Sequence, residues 1–151
     1  MNTREINSLL SRDNLSSTLF GGAMAADEFS RVFPFSTHSF FVVNSHVSSL
    51  PGEHWLAVYC CSPYYVEFFD SYGLPVEMYP LIHSTLNPLP ITSNSTQLQR
   101  LSTDVCGDYC VALGLAVARG VDMRTFVSYW RNKWDRDFII GSMIRSRLHL
   151  H

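Results

Sequence analysis

The segment from Gln97 to Ala118 reads QLQRLSTDVCGDYCVALGLAVA. Its polar part ends at Cys106, and the apolar residues that follow predict a buried helix from Cys106 to about Arg119, ended by Gly120. A cysteine in the first turn of a helix lies at the positive end of the helix dipole, which favours its thiolate form. Cys106 is therefore our candidate nucleophile.

Three aromatic and β-branched runs precede this segment: FFVVN from Phe40, HWLAVYCC from His54 and YYVEFFD from Tyr64. They predict three consecutive strands. Only Ser62-Pro63 links the second run to the third, so these two form an antiparallel hairpin. Such a turn pairs residues whose numbers sum to about 125, which makes His54 and Asp70 cross-strand neighbours.

This predicted pairing has a chemical consequence. An acid beside an imidazole orients the ring, fixes its tautomer and stabilises the imidazolium, as a catalytic triad requires. Taken singly, a histidine at a strand edge and an aspartate before Ser-Tyr-Gly are ordinary structural residues. Only their combination with a cysteine at a helix start indicates a catalytic site.

The remaining cysteines do not compete for the role of nucleophile. Cys110 lies inside the predicted helix, so we interpret it as a small buried hydrophobe. Cys60 and Cys61 fall in mid-strand, where one points inward and the other outward. A zinc site built from His54, Cys106 and Cys110 is disfavoured, because C-x3-C without a second ligand pair is not a usual structural zinc spacing. We therefore expect no metal.

Composition limits the classes of protein that fit. The chain of 151 residues is 46% apolar, which suits a single domain over residues 1–151 with a proper core. The net charge of -2 provides no general attraction to nucleic acid. The C-terminal third is nevertheless rich in arginine and offers a surface for weak nucleic-acid contact: Arg119, Arg124, Arg131, Lys133, Arg136, Arg145 and Arg147.

No apolar run resembles a signal peptide or a membrane span, so we expect no membrane partner. The four cysteines make a poor disulfide framework for a chain of this length. Both observations favour a reducing compartment, the cytosol or the nucleus.

Weaker patterns predict the other elements. The first is a helix over Thr3 to Leu10, capped by Asn2 or Thr3. A loop from Asn14 to Ala26 follows, and then a short turn at Asp27–Phe29 before Pro34. Further on, we expect a short helix within residues 75–86, limited at its start by Pro80, then a loop over 87–95 and a strand over 96–98. Two packing helices end the chain, one from the N-cap Asp122 through Trp130, the other from Asp135 to about Leu148 with an apolar stripe of Phe138, Ile139, Met143 and Ile144.

Four features follow one another along the chain: a histidine, an acid, a glutamine and a cysteine. The histidine lies in HWLAV, the acid in FFDSYG and the cysteine in CGDYC, and the glutamine is Gln99, seven residues before Cys106. Together these motifs resemble the adenovirus endopeptidase (adenain) family and, more distantly, the ubiquitin-like-protein (SUMO) proteases of the same clan. The resemblance runs from about Phe41 to Val117. It implies an α+β, papain-like or adenain-like cysteine protease fold, with a central, mostly antiparallel sheet packed by helices.

The resemblance also implies a role for each site residue. Cys106 is the nucleophile, His54 the general base and then acid, and Asp70 the orienting acid. Gln99 is the oxyanion donor, together with the backbone N–H of Cys106. Gln97 is its rival for this role, and we prefer Gln99 because its separation from the cysteine matches the family.

Two further residues are candidates for the substrate-binding surface. Trp55 either stacks over the histidine and cysteine, where it limits access, or is a half-buried strand aromatic. Gly107 permits a close backbone approach beside the nucleophile.

The sequence also departs from the family. Adenain carries Glu where this chain has Asp70. The segment from Asp70 to Gln99 is shorter here and has no cysteine, so a disulfide-linked peptide cofactor has no attachment point. Adenain also uses DNA as a cofactor, and the charge of this chain argues against strong nonspecific binding. We therefore expect no cofactor.

The function predicted from these residues and this resemblance is a cysteine endopeptidase that cleaves after glycine in a viral or virus-derived polyprotein, as in virion maturation. Two alternatives stay open: a protease that processes or deconjugates a ubiquitin-like modifier, and an inactive protease fold that serves as a binding module. We expect a monomer in the cytosol or nucleus of a host cell or in the virion.

Overall fold

The computed structural model describes residues 1–33 and 38–150. Pro34, at which the sequence predicted an interruption, lies outside the described residues. The elements in chain order are α1 (Thr3–Arg12), β1 (Phe20–Met24), α2 (Ala26–Val32), β2 (Ser39–Asn44), β3 (Trp55–Ser62), β4 (Tyr65–Phe69), α3 (Pro80–Leu86), β5 (Ile91–Ser93), α4 (Cys106–Ala118), α5 (Met123–Arg131) and α6 (Arg136–Ser146), with short 3-10 turns at Ser16–Thr18, Val76–Met78 and Arg147–His149.

The five strands form one sheet in the order β1-β2-β3-β4-β5. The central strands β2, β3 and β4 pair antiparallel, as predicted, whereas β1 and β5 are parallel to their neighbours. Each parallel edge follows from a crossover helix, α2 between β1 and β2 and α3 between β4 and β5. The predicted α+β class is confirmed.

Helices cover both faces of the sheet, and strand β2 shows why. Phe40 and Val42 join the core cluster beneath α1, α4, α5 and α6, while Phe41 and Val43 join the cluster beneath α2 and α3. A strand buried on both faces appears in the sequence as an unbroken apolar run, as FFVV does here.

Helix α4 lies in the larger core cluster and begins at Cys106, as predicted. It is buried along its first ten residues, Cys106 to Leu115. Gly114 permits close packing, because an added Cβ would lie 2.8 Å from the ring of Phe40. The helix ends where Gly120 adopts a positive φ of 84°, which L side chains disfavour.

The hairpin of β3 and β4 forms with a shifted register. A bulge at Cys60–Ser62 pairs Ala57 with Phe69, so Asp70 comes opposite the residue two positions beyond His54. The two catalytic candidates are therefore diagonal neighbours across the hairpin rather than directly opposite. Long side chains still reach across a diagonal pair.

The predicted loop from Asn14 to Ala26 is wrong. It contains a 3-10 turn and the edge strand β1. Gly21 serves packing in this strand, because a Cβ there would overlap the ring of Phe41. The preceding helix is confirmed, and Asn2 and Glu5 form its capping box.

The strand predicted over 96–98 is also wrong. The added strand is Ile91–Ser93, inside the predicted loop, where it pairs parallel with β4. The short helix with Pro80 at its start is confirmed.

The two C-terminal helices are confirmed, and the Asp122 side chain caps α5 by accepting the N–H of Thr125 at 2.7 Å. The apolar stripe predicted for α6 is wrong in part, because Phe138 is 77% exposed and Met143 is exposed. The buried face of α6 consists instead of Asp137, Ile140, Gly141 and Ile144. No helix among the described residues is both long and apolar enough to cross a bilayer.

Candidate active site

Cys106 is the first residue of α4 and is almost fully buried. Val105 precedes it and provides no side-chain cap, so side chains leave the first-turn N–H groups of this helix uncapped. The sulfur accepts the backbone N–H of Trp55 at 3.4 Å. The thiol thus lies between the positive end of a helix and the start of β3.

His54 immediately precedes β3 and is buried. Its Nε2 lies 2.7 Å from Oδ1 of Asp70, which leaves Nδ1 free to face Cys106. Burial alone lowers the pKa of His54, but the hydrogen bonds with Asp70 and Cys106 outweigh it and raise the pKa to about 9. Imidazole and carboxylate are therefore hydrogen-bonded, and the thiol lies next to them through the N–H of Trp55.

Asp70 is fully buried at the end of β4 and is held from several directions. Its backbone N–H donates to Asn94 Oδ1 at 3.0 Å, and its carbonyl accepts from Asn94 Nδ2 at 2.8 Å. Its carboxylate accepts the N–H of Tyr72 at 2.9 Å and the hydroxyl of Tyr79 at 2.5 Å. These donors stabilise a carboxylate that has no access to water.

Two tyrosines also fix the plane of the imidazole. The ring of Tyr72 stacks on His54, with centroids 4.7 Å apart and planes 18° apart, and the ring of Tyr79 is 6.4 Å away. Burial and the bond to Asp70 raise the pKa of Tyr79, so its hydroxyl stays protonated and donates. No local sequence pattern indicated a role for Tyr72, Tyr79 or Asn94.

Gln99 is buried, and its side-chain amide is oriented at both ends. Ser71 Oγ donates to its Oε1 at 2.7 Å, and its Nε2 donates to the carbonyl of Thr103 at 2.8 Å. An amide nitrogen carries two hydrogens, so one N–H remains for a ligand. The side-chain amide of Gln97 instead donates a hydrogen bond from Nε2 to the backbone carbonyl of Gln99 at 2.9 Å.

The turn after β4 couples the acid to this glutamine. The backbone N–H groups of Leu98 and Gln99 both donate to the carbonyl of Ser71, the residue after Asp70. Gly73 makes the approach feasible, because its φ is 75° and an added Cβ would lie 2.8 Å from the backbone of residues 96 and 97. The glycine in the FFDSYG motif therefore has a packing reason.

The side chain of Trp55 is buried rather than half-buried, and it belongs to the larger core cluster. Its indole N–H donates to the carbonyl of Met1 at 2.9 Å. A Cβ on Gly107 would lie 3.1 Å from the Trp55 ring and from the Met1 side chain, so this glycine lets the indole pack against the start of α4. The predicted substrate-binding roles of Trp55 and Gly107 stay predictions.

The other cysteines occupy different environments. Cys110 is fully buried, and burial raises the pKa of its thiol well above the usual value. Burial likewise raises the pKa of Cys60 to about 11, while Cys61 is partly exposed. Only Cys106 combines a helix start with an imidazole partner among these four thiols.

Comparisons with known proteins bear on the fold. No protein-family model matches the chain, and no curated protein sequence matches it. Among solved structures, the central domain of the uncharacterized Lpg1148 protein of Legionella pneumophila superposes with a TM-score of 0.55 at 16% identity, over 97% of this chain and 94% of that one. The pS273R protease of ASFV superposes with a TM-score of 0.54 at 18% identity, over 85% of this chain and 61% of that one.

At these identities the likeness concerns the fold alone. The chain has a cysteine-protease-like α+β fold: a five-stranded sheet packed by helices, with Cys106 at the start of a buried helix. The closer resemblance to adenain stays a hypothesis, as do the roles of the individual site residues.

Proposed function

We propose that the protein is a cysteine endopeptidase that uses Cys106, His54 and Asp70 as its catalytic triad. The observation that carries this proposal is the buried His54–Asp70 pair, 2.7 Å from Nε2 to Oδ1, beside a cysteine whose sulfur accepts the N–H of the residue after His54. These three groups supply a nucleophile, a proton acceptor and an orienting acid in the order that acyl transfer needs.

In the first half of the reaction, the proton of Cys106 has already passed to Nδ1 of His54, and the thiolate sulfur attacks the substrate carbonyl carbon. The electron pair of the carbonyl moves to its oxygen, where the free N–H of Gln99 and the backbone N–H of Cys106 stabilise the charge. When the carbonyl re-forms, the C–N bond breaks and the amine leaves with the proton from His54. A thioester to Cys106 remains.

In the second half, water gives a proton to His54 while its oxygen attacks the thioester carbon. The intermediate collapses with loss of the Cys106 sulfur, and the acid product departs. Asp70 keeps its charge throughout, because its role is to hold Nε2 and to stabilise the imidazolium.

For the substrate we propose a viral or virus-derived polyprotein, cleaved after glycine. The preference for glycine comes from the family resemblance, and two features of the structure support it. Tyr72 covers one face of the imidazole, and Trp55 lies beside the sulfur through its backbone N–H. We expect these contacts to leave little space for a side chain next to the scissile bond.

We also propose that no nucleic-acid cofactor is needed. Three of the arginines that suggested a basic surface are engaged within the chain: Arg119 with Asp13, Arg145 with Asp108, and Arg136 with backbone carbonyls. These contacts reduce the charge that is free to bind phosphates.

The proposal is tested by incubating the purified chain with a thiol-reactive glycine-ended peptide probe and mapping the labelled residue. We expect label on Cys106, no label or turnover in Cys106→Ala, and both retained in Cys110→Ala. Label on Cys110 alone, or a wild-type chain that neither reacts nor cleaves any peptide, would contradict the proposal and favour a binding module.

A peptide series identifies the substrate class. Peptides with Gly, Ala or Leu before the scissile bond are compared by kcat/KM, and each tenfold preference for Gly corresponds to about 1.4 kcal/mol in the transition state. Equal cleavage of the Leu peptide would rule out the glycine preference and leave the cysteine mechanism intact. Release of a folded ubiquitin-like modifier in preference to any peptide would favour a deconjugating protease.

A further inference from the structure

Helix α6 contacts the segment that connects the oxyanion glutamine to the nucleophile. This segment runs from Leu98 to Asp108 and carries both Gln99 and Cys106. Sequence reasoning treated α6 as a packing element, but three of its charged residues bond to this segment, and only one of them, Arg145, uses a carboxylate partner there.

Asp137 makes the central contacts. This residue is only 9% exposed, and its Oδ2 accepts the backbone N–H of Arg100 at 2.9 Å and the hydroxyl of Thr103 at 2.7 Å. Its Oδ1 accepts the hydroxyl of the fully buried Tyr109 at 2.7 Å. One carboxylate thus joins the residue after Gln99, the middle of the segment and the first turn of α4.

The neighbours of Asp137 on α6 extend the same contact. Arg136 donates to the carbonyl of Leu98 at 2.6 Å, immediately before Gln99. Arg145 donates to the carbonyl of Asp104 at 2.8 Å and to the buried carboxylate of Asp108. The segment is therefore held at its start, its middle and its end.

We propose that Asp137 is a positioning residue that sets the geometry of the oxyanion site. One residue connects Asp137 to Gln99. Asp137 binds the Thr103 side chain, and the Thr103 carbonyl accepts an N–H from Nε2 of Gln99. Through Tyr109 it also fixes the first turn of α4, which presents the backbone N–H of Cys106. Both oxyanion donors are thus held at a fixed separation by one carboxylate. This inference rests on the proposed function.

The carboxylate is well suited to this role, because three donors converge on it. A carboxylate is an acceptor at both oxygens, whereas an amide that keeps its oxygen toward Arg100 and Thr103 turns its N–H₂ group to Tyr109, whose hydroxyl must then accept instead of donate. Asp137→Asn therefore removes the charge and reverses the bond to Tyr109 with almost no change in volume. Neither Cys106 Sγ nor the His54 ring bonds to Asp137, so the thiol-imidazole pair should stay intact.

Two reactions distinguish a change in the oxyanion donors from a change in the thiol and its imidazole partner. Peptide cleavage places negative charge on the carbonyl oxygen and needs both donors. Alkylation by iodoacetamide forms an S–C bond as iodide leaves and creates no oxyanion, so its rate reports only the thiol and its imidazole partner.

The experiment compares kcat, KM and the alkylation rate in the full chain. We expect Asp137→Asn to lower kcat by about tenfold or more, with KM changed by less than about twofold and alkylation unaffected. Asp135→Asn is the matched control, because this neighbouring side chain makes no capping hydrogen bond, and it should behave as wild type.

A second pair of variants guards against misfolding of Asp137→Asn. Thr103→Val removes the hydroxyl, which lies 2.7 Å from Asp137 Oδ2 and 3.0 Å from the carbonyl of Arg100, and it should lower kcat without slowing alkylation. Thr103→Ser restores the hydroxyl and should recover the lost turnover. An unchanged kcat in Thr103→Val, or alkylation that slows in parallel with kcat, would overturn the positioning role.

These results also separate this inference from the proposed function. An active wild type with unaffected Asp137 and Thr103 variants disproves the inference alone. A wild type that neither cleaves peptides nor reacts at Cys106 disproves both the proposed function and this inference.

Discussion

The candidate site has an acid-base half and an oxyanion half, and they are built differently. The acid-base half is His54 and Asp70, held at the open end of one hairpin by Asn94, Tyr72 and Tyr79. The oxyanion half is the irregular segment around Gln99 that leads into α4, held from a distant helix. Local strand pairing positions the first half, whereas long-range side-chain contacts position the second.

The two halves meet at consecutive residues. Asp70 bonds to the imidazole, and Ser71 bonds through its hydroxyl to the amide of Gln99. Variants on either side of this junction should therefore have separable effects. Changes in the acid-base half should alter the pH dependence, and changes in the oxyanion half should alter kcat alone.

The largest effect is expected for His54→Ala. Loss of the proton acceptor should lower kcat/KM by about 10⁴-fold or more, close to the loss in Cys106→Ala. Asp70→Asn should be less damaging, because an amide oxygen still accepts the imidazole N–H. Steady-state kinetics on a peptide cleaved after glycine make the comparison, and near-normal activity in His54→Ala would exclude the triad.

The next effect concerns the oxyanion half. Gln99→Ala should lower kcat by about 10² to 10³-fold with little change in KM, as for the removal of one oxyanion donor. Gln97→Ala is the matched control and should be near neutral, because its amide bonds to a backbone carbonyl. The opposite ranking would transfer the oxyanion role to Gln97.

The pH dependence distinguishes the halves most directly. Burial lowers the pKa of His54, but the bonds to Asp70 and Cys106 raise it to about 9, so the charged imidazole persists to alkaline pH. We expect the alkaline limb of kcat/KM near pH 9, moved to lower pH in Asp70→Asn and unmoved in Gln99→Ala. A limb that moves equally in both variants would refute the separation.

The same shift affects stability. Because the folded pKa is raised above the unfolded value near 6.5, the stabilisation is fully present below about pH 6.5 and is lost as the pH rises through 9. Urea unfolding of wild type and Asp70→Asn across this range should show a steeper loss in the wild type.

The degree to which the sequence predicts each half follows from the same difference. The hairpin, the triad candidates and the start of α4 depend on local patterns, namely aromatic and β-branched runs, a two-residue turn and a polar-to-apolar boundary. The turn rule still missed the bulge at Cys60–Ser62, which depends on how the two strands pack.

Contacts between residues far apart in sequence are not marked by any such local pattern. Gly21 resembled a loop residue, although it makes room for the ring of Phe41 in an edge strand. The apolar stripe of α6 was predicted to include Phe138, which is exposed, and it left out Asp137, which is buried. A buried carboxylate whose donors lie 28 to 37 residues away in sequence cannot be recognised from helical periodicity.

The smallest effects should come from one hydroxyl in each half. Tyr79→Phe removes a donor from Asp70, and Ser71→Ala removes a donor from Gln99. Each loss leaves a buried acceptor with one partner fewer, at a cost of about 1 to 3 kcal/mol in the free energy of unfolding.

Their kinetic effects should nevertheless differ in kind. In Ser71→Ala the amide of Gln99 is no longer fixed at its oxygen, so kcat should fall by about three- to tenfold with an unchanged alkaline limb. In Tyr79→Phe the Nε2 to Oδ1 bond remains, so kcat should change less, and any effect should appear as a shift of that limb. Chemical denaturation measures the stability loss, and pH-dependent kinetics assign each hydroxyl to its half. If Ser71→Ala also shifts the limb, or Tyr79→Phe lowers kcat as far as Ser71→Ala does, the two halves are not separable, because the junction between Asp70 and Ser71 then transmits each change to both.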